Sequence, residues 1–337
     1  MLSPQQIQAA LDRCFGYMTD PQKYYVILPY GIGDFVISGS LVYALLKKFN
    51  RQNATLIMQE RFRNLEIAFD GVSEIKYLPY DELMIVSKFV LNTKRYVGQN
   101  YFYGHFRWNF EGKDVTGGRW IFVEQYKAGV YDLPLDTPLH YPIVKDVSDE
   151  IKSELRQKYE LDKARTVILM PYANSLPLMS INFWQQCVQS LLQRGYRLYT
   201  NVGRRPNGTF EQPLPGTLPL DVGLNEIFYV AGQVKCIVGY RSGLFDLLVF
   251  SKGNLICLAP QGMLNSDVKL NFPNTPSRLR PLYYDFNFFP KLNELLSQFE
   301  IESMSVANVK HKKIAPENLF FDEQNLLAAV LRAVEAL

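Results

Sequence analysis

Apolar and polar positions along the chain follow two periods in turn. Ile7, Ala10, Leu11, Cys14, Phe15 and Met18 recur at helical spacing, behind Ser3 as cap and Pro4 in the first turn. Tyr24-Tyr-Val-Ile-Leu28 is a short apolar strand, closed by the loop Pro29-Tyr-Gly-Ile-Gly-Asp34. The positions Val36, Ile37, Ser40, Leu41, Ala44, Leu45 and Lys48 predict one helix after it. Thr55 to Met58 reads as a strand, Arg61 to Ala68 as a helix and Ile75 to Leu78 as a strand. Strands alternating with helices predict a parallel sheet.

From about Arg95 to His140 the rhythm is lost. Tyr101, Phe102, Tyr103, Phe106, Trp108, Phe110 and Trp120 stand there among glycines. Two readings stay open for these aromatics: plugs of a core under long loops, or a surface whose ring faces stack on sugar CH groups. The alternation returns after Pro142. A polar helix spans Ser148 to Tyr159 and a strand Thr166 to Met170. A helix from Asn182 to Arg194 follows, with Trp184, Cys187, Val188, Leu191 and Leu192 on one face, then a strand from Tyr196 to Val202. Next come a helix at Leu224–Ala231, a strand at Cys236–Val238, a helix from Ser242 to Ser251 and a strand at Asn254–Leu258. A last helix at Glu323–Leu337 carries Leu326, Leu327, Val330, Leu331 and Val334. The expectation is an α/β protein of two Rossmann-like domains, 1–145 and 146–320, with 321–337 as a packing helix.

The 337 residues suffice for two cores. The 36 basic and 33 acidic residues nearly cancel, so nothing calls for nucleic acid. Cys14, Cys187, Cys236 and Cys257, and the three histidines, are too scattered for zinc-ligand spacing, and no metal is expected. With neither a signal-peptide pattern nor an apolar run of about 18 residues, a soluble protein with reduced thiols is expected.

Four loops could carry chemistry. Gly31, Gly33 and Asp34 follow the first strand and open a helix, where glycines let backbone amides approach a ligand and the helix start favours an anion. The third glycine, Gly39, is displaced from the dinucleotide-binding pattern. Asp34 faces the crevice where α/β proteins bind ligands and could deprotonate a hydroxyl; it could equally be a helix cap. In Val238-Gly-Tyr-Arg-Ser-Gly-Leu-Phe-Asp246, Ser242 and Gly243 offer a hydroxyl and open amides, and Arg241 a charge suited to a diphosphate. Asp246 could hold Arg241 or a ribose hydroxyl. A capped helix with an internal salt bridge is the other reading. Tyr172, Asn174 and Ser175 after Met170, and Gly203 and Arg204 after Val202, stand at the same edge.

Together these residues resemble the two-domain GT-B glycosyltransferases, and the heptosyltransferase-like family 9 group in particular. Leu28-Pro-Tyr-Gly-Ile-Gly-Asp34 is similar to that family's first strand and Gly-Asp turn. Met170-Pro-Tyr-Ala-Asn-Ser175 with Asn182-Phe-Trp184 resembles the opening of its second domain, and Gly223-Leu-Asn-Glu226 through Ser242-Gly243 its closing helix, strand and turn. The chain differs in having Arg241 where the family has Asp, and Asp246 where a His follows. The resemblance implies two domains facing each other across a cleft. It also implies an inverting, metal-independent transfer from a nucleotide sugar to a surface-glycan or lipid-linked acceptor in lipopolysaccharide or capsule biosynthesis. Asp34 would be the base. Tyr172, Asn174, Ser175, Gly203, Arg204, Arg241, Ser242, Gly243 and Asp246 would hold the donor, and Gly31, Gly33, Tyr103 and Trp108 the acceptor. A sugar-nucleotide epimerase and a non-catalytic nucleotide-sugar-binding protein are the alternatives. The expected location is cytoplasmic; Lys310, His311, Lys312 and Lys313 form a basic cluster that would be either a solvated loop or a peripheral contact with the inner membrane face.

Overall fold

The computed structural model describes residues 4–16, 23–29, 31–93, 97–98, 100–104, 122–173, 178–203, 210–260, 274–284, 319–320 and 322–337. Among these, the residues up to Lys145 form one compact unit and those from Asp146 onward a second.

The first unit opens with α1 (Pro4–Gly16), β1 (Tyr24–Ile27), α2 (Ile32–Gly39), α3 (Val42–Lys48) and β2 (Ala54–Gln59). After a 3-10 turn come β3 (Ile67–Ala68), β4 (Val72–Leu78), α4 (Tyr80–Thr93), β5 (Tyr101–Tyr103), α5 (Phe122–Gln125), a π-helical turn at Tyr126–Val130, and β6 (Ile143–Val144). The sheet is ordered β4-β2-β1-β5 and every pairing in it is parallel. All four β1 residues are buried, as a strand flanked on both sides and both faces requires. Tyr25, Ile27, Ile57 and Tyr103 pack under Leu83, Val86 and Val90 of α4 and Cys14 of α1.

Local patterning goes astray here in three places. The single helix expected after Asp34 is two: the Ser40 hydroxyl donates back to the Val36 carbonyl at 2.8 Å, and the Ser40 carbonyl is taken by the His140 N–H at 2.9 Å. Residues 61–68 do not form the expected α-helix. Only Glu60–Phe62 turns, and Ile67–Ala68 pairs antiparallel with Ile143–Val144, a partner far along the chain that no local window can see. The aromatic run at 101–103 is a strand beside β1, and α4 was not anticipated.

The second unit comprises α6 (Asp149–Tyr159), β7 (Thr166–Met170), α7 (Ile181–Gln193), β8 (Arg197–Asn201), β9 (Leu218–Leu220), α8 (Leu224–Ala231) and β10 (Cys236–Tyr240). It continues with α9 (Gly243–Leu248), β11 (Asn254–Pro260), β12 (Arg278–Tyr284), β13 (Leu319–Phe320) and α10 (Glu323–Glu335). Its sheet runs β13-β12-β11-β10-β7-β8-β9, parallel throughout. Side chains just before three helices cap them: Ser148 Oγ accepts from the Ile151 N–H, Ser180 Oγ from Phe183, and Asp322 from Asn325.

The helices α7 and α10 lie parallel. Glu323 accepts from the Ser180 N–H and hydroxyl at their starts, and Arg194 meets Glu335 at 2.5 Å at their ends. Leu326, Val330 and Val334 of α10 enter the same core as Trp184, Cys187 and Leu191 of α7.

Candidate functional site

In an open parallel sheet the ligand crevice lies at the carboxyl ends of the strands, where the strand order reverses. Each unit has one such point. In the first unit the chain runs from β1 outward to β2 and β4, and β5 returns to the other side of β1. The crevice is therefore bounded by the turn after β1 and by Gly104 after β5. The Gly104 N–H donates to the Ile27 carbonyl at 2.9 Å, and a Cβ at Gly104 would stand 2.7 Å from Leu28 Cδ2 and 3.2 Å from the Tyr131 hydroxyl, so a side chain here would have to displace them. Gln59 holds the Pro29 carbonyl at 2.6 Å from the end of β2.

Asp34 stands in the first turn of α2 at this point and is partly exposed. Tyr126, from the π-helical turn and 0% exposed, donates its hydroxyl to Asp34 Oδ1 at 2.8 Å. The α2 N-cap residue, Gly31, has ordinary extended torsions (φ −67°, ψ 174°), so its glycine is not required by the backbone. A methyl group there would lie 3.8 Å from Asp34 Oδ2, in ordinary van der Waals contact. Gly33 is buried within α2. Gly39 is a packing residue: a Cβ on it would meet the Phe69 ring at 2.4 Å.

Two acceptor residues drawn from the aromatic stretch fare differently. Tyr103 is 0% exposed and belongs to the core beneath α4, so it presents no ring face to a ligand; this corrects its assignment. On β5, paired beside Ile27 of β1, its ring sits in the cluster under α4 and α1. Trp108 lies outside the described residues.

In the second unit the chain runs from β7 outward to β8 and β9, then back to β10 and onward to β13. The reversal falls between β7 and β10. Gly239 on β10 is opposite Met170 on β7, and a Cβ on it would lie 2.6 Å from that of Met170. The loops after β7, β8 and β10 leave the same edge of three neighbouring strands, which brings together the segments that carry Tyr172, Gly203 and Arg241–Gly243. Asn174, Ser175 and Arg204 lie outside the described residues, as do Lys310, His311, Lys312 and Lys313.

Ser242 caps α9, its Oγ accepting from the Phe245 N–H at 3.3 Å, and Gly243 is the first helical residue; both are partly exposed. Arg241 Nη2 meets Asp246 Oδ2 at 2.8 Å, with the two residues 9% and 1% exposed. Asp246 is thus the buried partner of Arg241 and offers no carboxylate to a ribose, a correction to its place among the donor ligands. The same pairing balances the Arg241 charge within the protein.

Gly203 also departs from expectation. Its N–H donates to Glu211 Oε2 at 3.1 Å, and the Glu211 N–H returns to its carbonyl at 2.9 Å, so its amide already serves an internal carboxylate. The Tyr172 hydroxyl donates to the Gln212 carbonyl at 2.5 Å, tying the loop after β7 to the same strip. Glu211 and Tyr126 escaped the sequence reading. Each reaches its partner across a stretch of irregular chain with no periodicity to mark it.

Several other polar groups serve structure. The Tyr240 hydroxyl accepts from the Met179 N–H and, at 3.3 Å, from Trp184 Nε1; burial holds its ionisation well above the usual phenol range. Burial pushes the thiols of Cys14, Cys187 and Cys236 up to about 12. Lys127, next to Tyr126, is nearly buried and gives its ammonium to the Leu135 carbonyl at 2.9 Å; desolvation lowers its pKa, against the opposing pull of Glu124 and Asp136. No group of three or more His, Cys, Asp or Glu residues suited to a metal occurs among the described residues, and no described helix is long and apolar enough to cross a membrane. A groove of about 610 Å³ beside α3, lined by Tyr43, Lys47, Asp132 and Pro138 among others, contains none of the candidate residues.

The two parallel α/β units place the chain in the GT-B fold class. It shares this fold with the crystal structure of a family 9 glycosyl transferase from Veillonella parvula DSM 2008, with a TM-score of 0.56 at 9% identity over 94% of this chain and 97% of that one. The ADP-heptose LPS heptosyltransferase II of E. coli aligns with a TM-score of 0.53 at 14% identity, over 93% of this chain and 99% of that one. No protein-family model and no curated protein sequence matches the chain.

Proposed function

We propose that this protein is an inverting glycosyltransferase that moves a sugar from a nucleoside diphosphate donor to a hydroxyl of a surface-glycan or lipid-linked acceptor. The observation that carries the reading is Asp34: a partly exposed carboxylate at the strand-order reversal of the first unit, held by a buried phenol. In the reaction Asp34 takes the proton of the acceptor hydroxyl as its oxygen bonds to the anomeric carbon. The bond from that carbon to the donor phosphate breaks, and the nucleoside diphosphate leaves with the electron pair. Ser242 and the Gly243 amide, at the reversal point of the second unit, are the groups we assign to the diphosphate, with Tyr172 beside them. Arg241 acts there as a charge already paired with Asp246, and so as a fixed dipole. The fold neighbour from E. coli, which bears ADP-heptose in its name, makes that sugar nucleotide the first donor to try.

A thermal-shift series with UDP, GDP, ADP, CMP and dTDP tests the donor side. One nucleotide at about 100 times its dissociation constant adds about 2.7 kcal/mol of stability. Turnover of the matching nucleotide sugar then tests the base. In Asp34→Asn, kcat falls about 100- to 10,000-fold while the nucleotide shift is kept. Full turnover in Asp34→Asn, or no response to any nucleotide, overturns the reading; binding without turnover in the unaltered protein favours a non-catalytic nucleotide-sugar-binding protein.

A further inference from the structure

Tyr126 and Tyr131 are joined by the bond that closes the π-helical turn, the Tyr131 N–H donating to the Tyr126 carbonyl at 2.9 Å. In an α-helix, residues five apart point about 140° from one another. Closure over five residues brings them onto one side, and here both reach α2. Tyr126 donates to Asp34 Oδ1 at 2.8 Å and Tyr131 to the Ser38 carbonyl at 3.2 Å, one α-turn further along. The turn is fixed besides by the Tyr131 ring, stacked on Phe102 of β5 at 4.9 Å, and by the Lys127 ammonium on the Leu135 carbonyl. A single wound segment, anchored to the sheet and to α2, thus grips the Asp34 carboxylate.

Resting on the reading of Asp34 as base, we propose that Tyr126 is its positioning residue: the phenol holds Oδ1 and so fixes the carboxylate that receives the acceptor proton. The phenol keeps its own proton throughout. It sets the carboxylate rotamer through a charge-assisted hydrogen bond. A π-turn costs regular helix geometry, and this one is used to aim two hydroxyls at one helix.

The test is Tyr126→Phe, which keeps the ring that fills the core and removes only the hydroxyl, assayed with the nucleotide sugar selected by the thermal-shift series. The expected result is a kcat lowered about 10- to 100-fold with KM for the donor and the nucleotide shift unchanged. In an Asp34→Asn background the same substitution brings no further loss. Unchanged kcat in Tyr126→Phe, where Asp34→Asn lowers it as expected, overturns the proposal and leaves the transferase reading standing. So does a raised KM or a lost nucleotide shift at constant kcat, the mark of a purely structural contact. Turnover that survives Asp34→Asn overturns the base assignment, and this proposal with it. Should Tyr126→Phe fail to fold, 3-fluorotyrosine at 126 keeps shape and hydroxyl but alters donor strength; a kcat that does not respond overturns the proposal.

Discussion

Arg241 and Asp246 show how a residue pair reads differently in sequence and in space. Five positions apart around a helix start, they could have been a diphosphate ligand with a ribose ligand, or each other's partners. Burial decides for the second, with Asp246 1% exposed and Arg241 bonded to it at 2.8 Å. Removing one member of such a pair strands a charge away from water, whereas removing both does not. Asp246→Ala is therefore expected to cost about 3–5 kcal/mol in urea denaturation, and Arg241→Met with Asp246→Leu much less. If the single and double replacements cost the same, the two charges do not depend on each other for their burial. Asp34 is the opposite case. Its sequence context allowed a helix cap or a base, and what sets it apart is the Tyr126 hydroxyl, which arrives from a segment without helical or strand periodicity. Tyr103, equally aromatic and equally suggestive on paper, is silenced by its place in the core.

Elements with a strong pattern of their own agree with their sequence. The β7 run Thr-Val-Ile-Leu-Met is buried at every position, and α8 matches its expected span of Leu224–Ala231. Where a segment's partner is distant, local pattern fails, as in the strand at 67–68 and the break at Ser40. The helix α10 separates packing from surface charge. Leu326 is fully buried between α7 and the sheet, while the Arg194–Glu335 pair, with side chains 40% and 49% exposed, is screened by water. Leu326→Ala is expected to cost about 2–5 kcal/mol, and Glu335→Ala less than about 1 kcal/mol. Denaturant midpoints of the two variants check the contrast; equal losses would show that the terminal ion pair, and not the apolar face, fastens α10.

Across the whole molecule both units hold buried thiols, Cys14 in the first and Cys187 and Cys236 in the second, each pushed up to about 12 from an ordinary 9.0. Below that ordinary value the native and unfolded chains carry the same thiol protons. Above it the unfolded chain loses them and the native chain keeps them, so the unfolding free energy falls as pH rises toward about 12. Urea midpoints are expected to hold level up to about pH 8 and to drop steadily above about pH 9, with no alkylation of these cysteines before unfolding; a midpoint level up to about pH 11 would contradict their burial. The two alternating α/β runs and the Gly-Asp and Ser-Gly turns follow from the sequence alone, because periodicity and turn chemistry are short-range physics confined to a few neighbouring residues. The order of the strands, and so the two points where it reverses, was decided only in the tertiary structure. The same holds for the burial of Asp246 and Tyr103, the Glu211 carboxylate on Gly203 and the Tyr126 grip on Asp34. Each depends on which distant segments share a core, and the free energy of that choice is summed over the whole fold.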